Sequence, residues 1–190
     1  VCSSDLLFEE NEQYWDKFVE AKAKGREIIL DNSIFELGTA FDGDKYATWI
    51  EKLQPDWYII PDVLDDADAT IESFEKFTEK YNDLPGKAIA VAQGSSYNEL
   101  TYCYRHLVGD PRVAKIALSF NHPFFQAHNG HTKYHRMMYG RRHTISMMLV
   151  DGVLDTDKPH HLLGCGLPQE FRAYVNDKWV DSIDTSNPVR

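Results

Sequence analysis

Three short apolar runs, each ended by a polar residue, recur at a constant interval and constrain the fold of this chain most. The runs and their polar ends are residues 26–30 with Asp31, residues 57–60 with Asp62, and residues 87–92 with Gln93. Successive polar ends are 31 residues apart, close to the length of one strand and one helix in a βα repeat. The sequence therefore predicts repeated βα units in which each polar residue follows the carboxyl end of a strand.

Amphipathic segments alternate with these strands. Helices are predicted at residues 8–24, from a cap at Asp44 to Gln54, at about 68–81, and after a capping box formed by Ser96 and Glu99. Further strands are predicted at residues 113–118, 160–163 and 180–183, and further helices at about 132–149 and 168–174. Strand followed by helix repeats six times, which indicates a parallel sheet with right-handed crossovers.

Both a closed barrel and an open doubly wound sheet fit this alternation. No Gly-rich phosphate loop follows the first strand, and polar residues end successive strands, which favours the barrel. We therefore predict an α/β fold, an incomplete (β/α)8 TIM barrel with about six of its βα units present.

The composition is that of an ordinary globular domain. The chain has 190 residues, 43% of them apolar, which is enough to form a substantial core. No apolar run approaches the roughly 20 residues that cross a bilayer, so we expect a soluble, cytoplasmic protein with no membrane partner. The three cysteines are far apart in sequence and predict neither a disulfide framework nor a zinc cluster.

The two ends carry expectations of their own. Residues 1–6 resemble the translation of a sequencing-adapter end, so we expect them to be non-native; an ordinary polar N-terminus is the alternative. Residues 7–190 are then a partial barrel domain, a fragment whose C-terminal part is missing.

Charge is distributed unevenly along the chain. The formal net charge is −10, yet residues 111–150 contain no Asp or Glu. The basic residues expected to contact a nucleic-acid backbone are Lys133, Arg136, Arg141 and Arg142, together with Arg190 at the end of the chain. A solvated helix face is the alternative for this band. His128, His131 and His135 have the spacing of metal ligands, but Gly130 interrupts the helix and no carboxylate is near, so no metal site is predicted.

Six strand-end residues should meet at one face if all the strands are parallel. They are Asp31, Asp62, Gln93, Ser119, Gly164 and Asp184. Asp184 directly follows the last strand and is the first candidate for a nucleophile, since paired carboxylates suit cleavage of a glycosidic bond. A Gln beside an Asp also matches the hydrogen-bonding edge of a purine. The alternative for each Asp is that it caps the helix that follows it.

Five motifs, in the same order, resemble those of the tRNA-guanine (queuine) transglycosylases. Residues 158–171 resemble their "KPxYLMGVGxPxDL" segment, and residues 183–190 are similar in register to "FDCVxPTR". Residues 30–36 resemble "SDSGGFQ", residues 60–64 match a second Asp strand end, and residues 91–94 are similar to "VQGG". The resemblance covers residues 30 to 190, and its specificity lies in the five motifs together.

The resemblance implies a (β/α)8 barrel and a pentosyltransferase that exchanges guanine in nucleic acid for a 7-deazaguanine. Asp184 would attack C1′ of a guanosine, and Asp31 would be the second carboxylate that transfers the proton. Asp62 would bind the N1–H and amino edge of guanine and Gln93 its O6, with Gly94, Leu118 and Gly164 beside the base. The implied partners are tRNA or DNA and the free base, and a homodimer is left open.

Several positions depart from the family pattern. Asn32-Ser-Ile replaces Ser-Gly-Gly, Ser95 follows Gln93-Gly94, Ile116-Ala-Leu118 replaces Gly-Gly-Leu, and Thr185-Ser-Asn replaces Cys-Val-Leu. These changes favour a divergent branch, such as the phage-type enzymes that place 7-deazaguanines in DNA. No cofactor is expected within this chain, because the family's structural zinc is bound by residues beyond the nucleophile, and hence beyond Arg190. Two alternatives remain: a non-catalytic transglycosylase-like binding subunit, which need retain neither Asp31 nor Asp184, and an unrelated TIM-barrel glycosidase.

Overall fold

A computed structural model describes residues 2–4, 12–32 and 42–185 of the chain. Its strands are β1 (Cys2–Ser4), β2 (Ile29–Asp31), β3 (Trp57–Ile59), β4 (Lys87–Ala92), β5 (Lys115–Leu118), β6 (His160–Leu162) and β7 (Val180–Ile183). Its α-helices are α1 (Glu12–Ala23), α2 (Gly43–Leu53), α3 (Ala67–Lys80), α4 (Tyr97–Val108), α5 (Lys133–Val150) and α6 (Pro168–Ala173), with a 3₁₀ helix at Pro123–Ala127. Within the described residues, no helix has the length and apolar character that crossing a membrane requires.

All seven strands pair in parallel, and their order in the sheet is their order along the chain. A helix lies between each pair of consecutive strands. The sheet curls as in half a barrel, so the α/β class is confirmed and the architecture is consistent with an incomplete (β/α) barrel. The strand β1 falls in the opening residues that were expected to be non-native, and that expectation stays a prediction.

The two faces of the sheet carry separate apolar clusters, because successive side chains of a strand point to opposite faces. The outer cluster packs strand residues such as Leu30, Ile60 and Leu118 against helix residues such as Ile50 and Phe74. The smaller inner cluster contains Ile29, Ile59, Ile89, Val91 and Ala117. Since both faces are covered, the strands read as continuous apolar runs in the sequence.

The helix ends differ from prediction in two places. Asp42, rather than Asp44, is the N-cap of α2, where its side chain accepts a hydrogen bond from the backbone N–H of Asp44 at 3.0 Å. Ser96 caps α4 as predicted, but the Glu99 carboxylate accepts from the N–H of Ser95 at 2.8 Å instead of from Ser96. The start of α2 is thus capped two residues earlier than predicted, and the Glu99 carboxylate binds the residue before the N-cap of α4.

Candidate active site

A cavity of about 360 Å³ opens at the carboxyl ends of strands β2 to β7 on the inner face of the sheet. The predicted residues that line it are Asp31, Asp62, Gln93, Ser119, Gly164 and Asp184. The structure thus brings together all six strand-end residues that the sequence placed at one face. The size of the cavity is within the range of small-molecule sites.

A bulge between β6 and β7 decides which way Asp184 faces. His160 pairs with Val180 but His161 pairs with Ser182, so Asp181 is an extra residue without a partner across the ladder. Ile183 consequently packs in the outer cluster, while Asp184 turns into the cavity. Bulges commonly re-aim a side chain next to a functional site, and here the irregularity places the carboxylate on the inner face.

The turn after β6 holds Asp184 in place. Its Oδ1 accepts a hydrogen bond from the N–H of Gly164 at 2.8 Å, and its backbone carbonyl accepts from the N–H of Cys165 at 2.9 Å. Gly164 has a φ of +63°, and an added Cβ would lie 2.4 Å from the ring of Phe120. Only glycine suits this position. The carboxylate remains partly open, with 26% of its side chain exposed.

Asp62 is a buried carboxylate whose two oxygens are both occupied. Asn32 donates to Oδ1 and Gln93 donates to Oδ2, each at 2.7 Å. The Oε1 of Gln93 accepts in turn from the N–H of Asp65 at 3.2 Å, which fixes the orientation of the amide. Burial raises the pKa of Asp62, while the hydrogen bonds from Asn32 and Gln93 oppose that shift. The cavity therefore contains a preorganised polar cluster at its base.

Asp31 lies at the end of β2 and lines the same cavity, so the structure brings the second expected catalytic carboxylate to the side of the site where Asn32 and Asp62 lie. Its side chain is half-buried. Cys165 also lines the cavity. Burial raises the pKa of its thiol to about 12, so it stays protonated and is a poor nucleophile at neutral pH.

Two residues expected beside the base lie elsewhere. The Leu118 side chain belongs to the outer cluster, because its strand parity is opposite to that of Ala117 and Ser119. Gly94 packs against the start of α4, where an added Cβ would meet the backbone nitrogen of Leu100 at 2.4 Å. Neither lines the cavity, so both positions support the fold around the site.

The expected basic residues differ in their exposure. Lys133 lines the cavity mouth, and Arg142 is exposed on the same helix, α5. Arg136 is half-buried and contacts the side chain of Gln126 at 3.4 Å. Arg190 lies outside the described residues.

Arg141 has a different position from the one expected. Its side chain is buried, and its guanidinium donates to Glu170 at 2.8 Å and to the backbone carbonyls of Leu118 and Leu163. This guanidinium is therefore committed to the protein interior and is not presented to a phosphate. It connects α5 to the ends of β5 and β6, directly beneath the turn that holds Asp184.

Sequence reasoning did not find several residues of the site. Asn32 and Phe120 both line the cavity. His161 lies behind it, with its Nε2 at 3.2 Å from Asp184 Oδ1. Asn32 directly follows Asp31, and His161 has the same strand parity as Leu163, which lines the cavity. Strand parity was thus the available signal, but it becomes useful only once the pairing register is known.

No group of three or more His, Cys, Asp or Glu side chains within the described residues is arranged to hold a metal ion. The histidines of the 128–143 region lie in ring pairs instead: His128 is 5.0 Å from His143, and His131 is 6.2 Å from His135, between ring centroids. No family profile matches the chain, and no curated protein is significantly similar to it.

Proposed function

We propose that this chain carries the active site of a transglycosylase that exchanges guanine in a polynucleotide for a 7-deazaguanine base. One observation carries the proposal: a single cavity is lined by two strand-end carboxylates, Asp31 and Asp184, and by the buried pair of Asp62 and Gln93. Paired carboxylates suit chemistry at an anomeric carbon. An Asp–Gln pair suits the donor and acceptor edge of a guanine.

The reaction would proceed in two displacements. The Asp184 carboxylate attacks C1′, the bond from C1′ to N9 of guanine breaks, and an ester to the enzyme forms while Asp31 supplies the proton that the leaving base takes. The incoming base then loses its N9 proton to Asp31 and attacks C1′, which breaks the ester and frees Asp184. A base within a duplex cannot reach such a cavity, so the target comes from a loop or is flipped out.

The different exposure of Asp184 and Asp62 supports their proposed roles as nucleophile and recognition group. Asp184 is 26% exposed at the cavity, as an attacking group must be. Asp62 is almost fully buried and is held by two carboxamides, as a recognition group should be. The exposed basic residues Lys133 and Arg142 on α5 are placed to contact the backbone of the polymer.

The test is covalent capture. Purified protein is incubated with guanine-containing tRNA or single-stranded DNA and labelled guanine, and both label exchange and a denaturation-resistant adduct are measured. We expect Asp184→Asn to remove the adduct and lower exchange by about 1,000-fold or more, because the nucleophile is lost. Asp157→Asn makes the same change at an exposed position and should leave both readouts unchanged.

The outcomes separate the candidate functions. Exchange by Asp184→Asn at the wild-type rate contradicts the proposal. Tight polynucleotide binding by both proteins with no exchange by either identifies a non-catalytic binding subunit. Cleavage of a glycan, without base exchange, identifies a barrel glycosidase.

A further inference from the structure

A chain of polar side chains extends behind Asp184 across the inner face of the sheet. The ring Nδ1 of His161 lies 2.9 Å from Ser182 Oγ, and Lys115 Nζ donates to the same oxygen at 3.2 Å. Lys115 is itself fixed by an ion pair with Asp181 and by the face of the Trp57 ring, whose centroid is 3.8 Å from Nζ. His161 and Lys115 are both buried, so this chain lies within the protein.

The order of donors along the chain assigns the proton of His161. An ammonium group only donates, so Ser182 Oγ accepts from Lys115. The Ser182 hydroxyl then has its own proton to donate, and Nδ1 of His161, 2.9 Å away, can accept it. With Nδ1 as the acceptor, the ring carries a proton on Nε2, the atom that lies 3.2 Å from Asp184 Oδ1.

Within the described residues, Asp184 is the charged group that the Nε2–H of His161 can approach. The N–H group is buried, it has no aligned hydrogen-bond partner, and the Asp184 carboxylate is the charged group within ion-pair distance. The 3.2 Å separation is not an aligned hydrogen bond, and hydrogen bonds between catalytic groups commonly tighten when the reacting groups close.

The adjacent histidine provides an internal comparison. His160 faces the helices, where Tyr104 Oη lies 2.9 Å from its Nε2 and its Nδ1 lies 2.8 Å from the carbonyl of Lys158. A carbonyl accepts only, so Nδ1 of His160 carries the proton. Burial lowers the pKa of His160 to about 4, which leaves the ring neutral at neutral pH. Two buried, adjacent histidines thus have opposite tautomers on opposite faces of one strand.

The two oxygens of Asp184 have unequal surroundings. Both the Gly164 N–H and His161 Nε2 approach Oδ1. No described residue donates to Oδ2, and Asp184 lines the cavity. One oxygen is therefore anchored and the other is presented to the cavity.

We propose that His161 is a positioning residue that, with the Gly164 N–H, anchors Oδ1 of Asp184 and leaves Oδ2 as the oxygen that attacks the anomeric carbon. Ser182 and Lys115 hold His161 in the tautomer that this requires. The inference rests on the proposed function and deepens it. During the second displacement, the same two donors stabilise the carboxylate that leaves C1′, so they favour breakdown of the ester.

The first test is kinetic and uses two substitutions at each histidine. His161→Phe removes the donor and should lower kcat by about 100-fold with little change in KM, because it misplaces the nucleophile without touching the base. His161→Gln keeps an N–H near the position of Nε2 and should retain kcat within about fivefold of wild type. His160→Phe and His160→Gln are matched controls, since that ring is equally buried but faces away from the cavity. We expect wild-type kcat from any of these controls that folds.

The second test does not depend on activity. Nitrogen chemical shifts of the histidine rings identify the protonated nitrogen, and we expect Nε2–H for His161 and Nδ1–H for His160. Ser182→Ala should release the His161 preference, and Asp184→Asn should shift the His161 ring resonances while leaving those of His160 in place. A thermal melt of each variant identifies those that unfold. Where a variant unfolds, the nitrogen shifts of the wild-type protein test the tautomer instead.

The outcomes distinguish the inference from the function beneath it. A protonated Nδ1 on His161, or a folded His161→Phe variant with wild-type kcat, overturns the inference. If no base exchange occurs in the wild type but the His161 shifts respond to Asp184→Asn, the proposed function fails while the anchoring of Oδ1 stands.

Discussion

At the scale of single residues, burial and hydrogen bonding have opposite effects on the pKa of Asp62 at the base of the cavity. Asp62 gives up its hydration and gains two carboxamide donors, Asn32 and Gln93, each at 2.7 Å. Hydrogen bonds to an ionised carboxylate are stronger than neutral ones, yet desolvation still dominates, because burial raises the pKa of this group. The folded protein therefore binds a proton at Asp62 more readily than the unfolded chain does.

A second carboxylate at position 32 tests how strongly burial and hydrogen bonding act on Asp62. Asn32→Asp preserves shape but replaces the donor by an acceptor 2.7 Å from Asp62 Oδ1. We expect the free energy of unfolding to fall by about 2 to 4 kcal/mol at pH 7, because a hydrogen bond is lost and like charges are buried together.

The loss should shrink on acidification. The pKa of Asp62 is already raised, and a neighbouring carboxylate raises it further, so a shared proton restores the pair as the pH falls below neutrality. Chemical denaturation at pH 7 and pH 5 measures this. Asn82→Asp is the exposed control and should change stability by less than about 0.5 kcal/mol. An equal deficit at both pH values would show that charge repulsion is not the cause.

The residue types at the strand ends could be predicted from the sequence, but the residues with which they form hydrogen bonds and ion pairs could not. Asp31, Asp62, Gln93 and Asp184 follow apolar runs, and parallel strands necessarily bring such positions to one edge of a sheet. Arg141 was expected at the surface because it belongs to a basic run. It is buried because Glu170, 29 residues further along the chain, provides the compensating carboxylate. A long-range pair of this kind leaves no local pattern in the sequence.

At the scale of elements, the turn between β6 and α6 links the fold to the site. Its Gly164 adopts a left-handed φ of +63° and packs against Phe120 while its N–H holds Asp184. Gly152, in the turn that follows α5, has the same φ of +63° but no atom within 4 Å of an added Cβ. Substitution of these two glycines therefore distinguishes the cost of a left-handed backbone from the cost of a steric clash.

Alanine at these two turns should have unequal effects. Gly152→Ala carries only the left-handed backbone cost and should lower stability by about 1 kcal/mol. Gly164→Ala adds overpacking against Phe120 and should lower stability by about 2 to 4 kcal/mol. It should also lower base exchange, because the N–H moves away from Asp184. Urea denaturation and exchange assays of the two proteins measure the difference, and equal losses would contradict the steric account.

Element positions could be predicted more fully than element ends. β4 and β7 have the predicted bounds. The α2 cap was misplaced by two residues because Asp42 and Asp44 are both suitable cap residues. The position of the long helix α5 was predicted but its ends were not; Thr132 caps its start, and the left-handed Gly152 lies just beyond its end.

At the scale of the whole molecule, the separation of charges bears on how an acidic protein would bind a polyanion. The net charge is −10, but the acid-free stretch of residues 111–150 includes the wall of the cavity mouth formed by Lys133 and Tyr134. Long-range repulsion falls off within a Debye length of about 8 Å at physiological salt. A local basic surface can therefore act on a phosphate backbone despite the overall charge.

Salt dependence should identify the residues of this surface. Binding of single-stranded polynucleotide should weaken as salt rises, and Lys133→Gln or Arg142→Gln should each lower the slope of log Kd against log salt by about 0.7 to 1. Lys76→Gln on α3, an exposed lysine outside the acid-free stretch, is the control and should leave the slope unchanged. Fluorescence anisotropy at several salt concentrations provides the slopes. Identical slopes for all four proteins would remove residues 133–142 from the binding surface.

The sequence was sufficient for the order and direction of six strands, because βα alternation with short connections permits few arrangements. It was not sufficient for the seventh strand, β1, whose residues Cys2–Ser4 have no apolar pattern but pair in parallel with β2. Nor did it predict the irregular pairing of β7, since the pairing register between β6 and β7 is not visible in the sequence of either strand.

That irregular pairing, in which Asp181 is the extra residue, sets the side of the sheet on which Asp184 lies. In a regular ladder with the same number of residues, Asp184 would face the helices and Ile183 would face the cavity. Deletion of Asp181 removes the bulge together with the extra residue, so Ser182 should still pair with His161 and Asp184 should still face the cavity. The same deletion removes the carboxylate that pairs with Lys115.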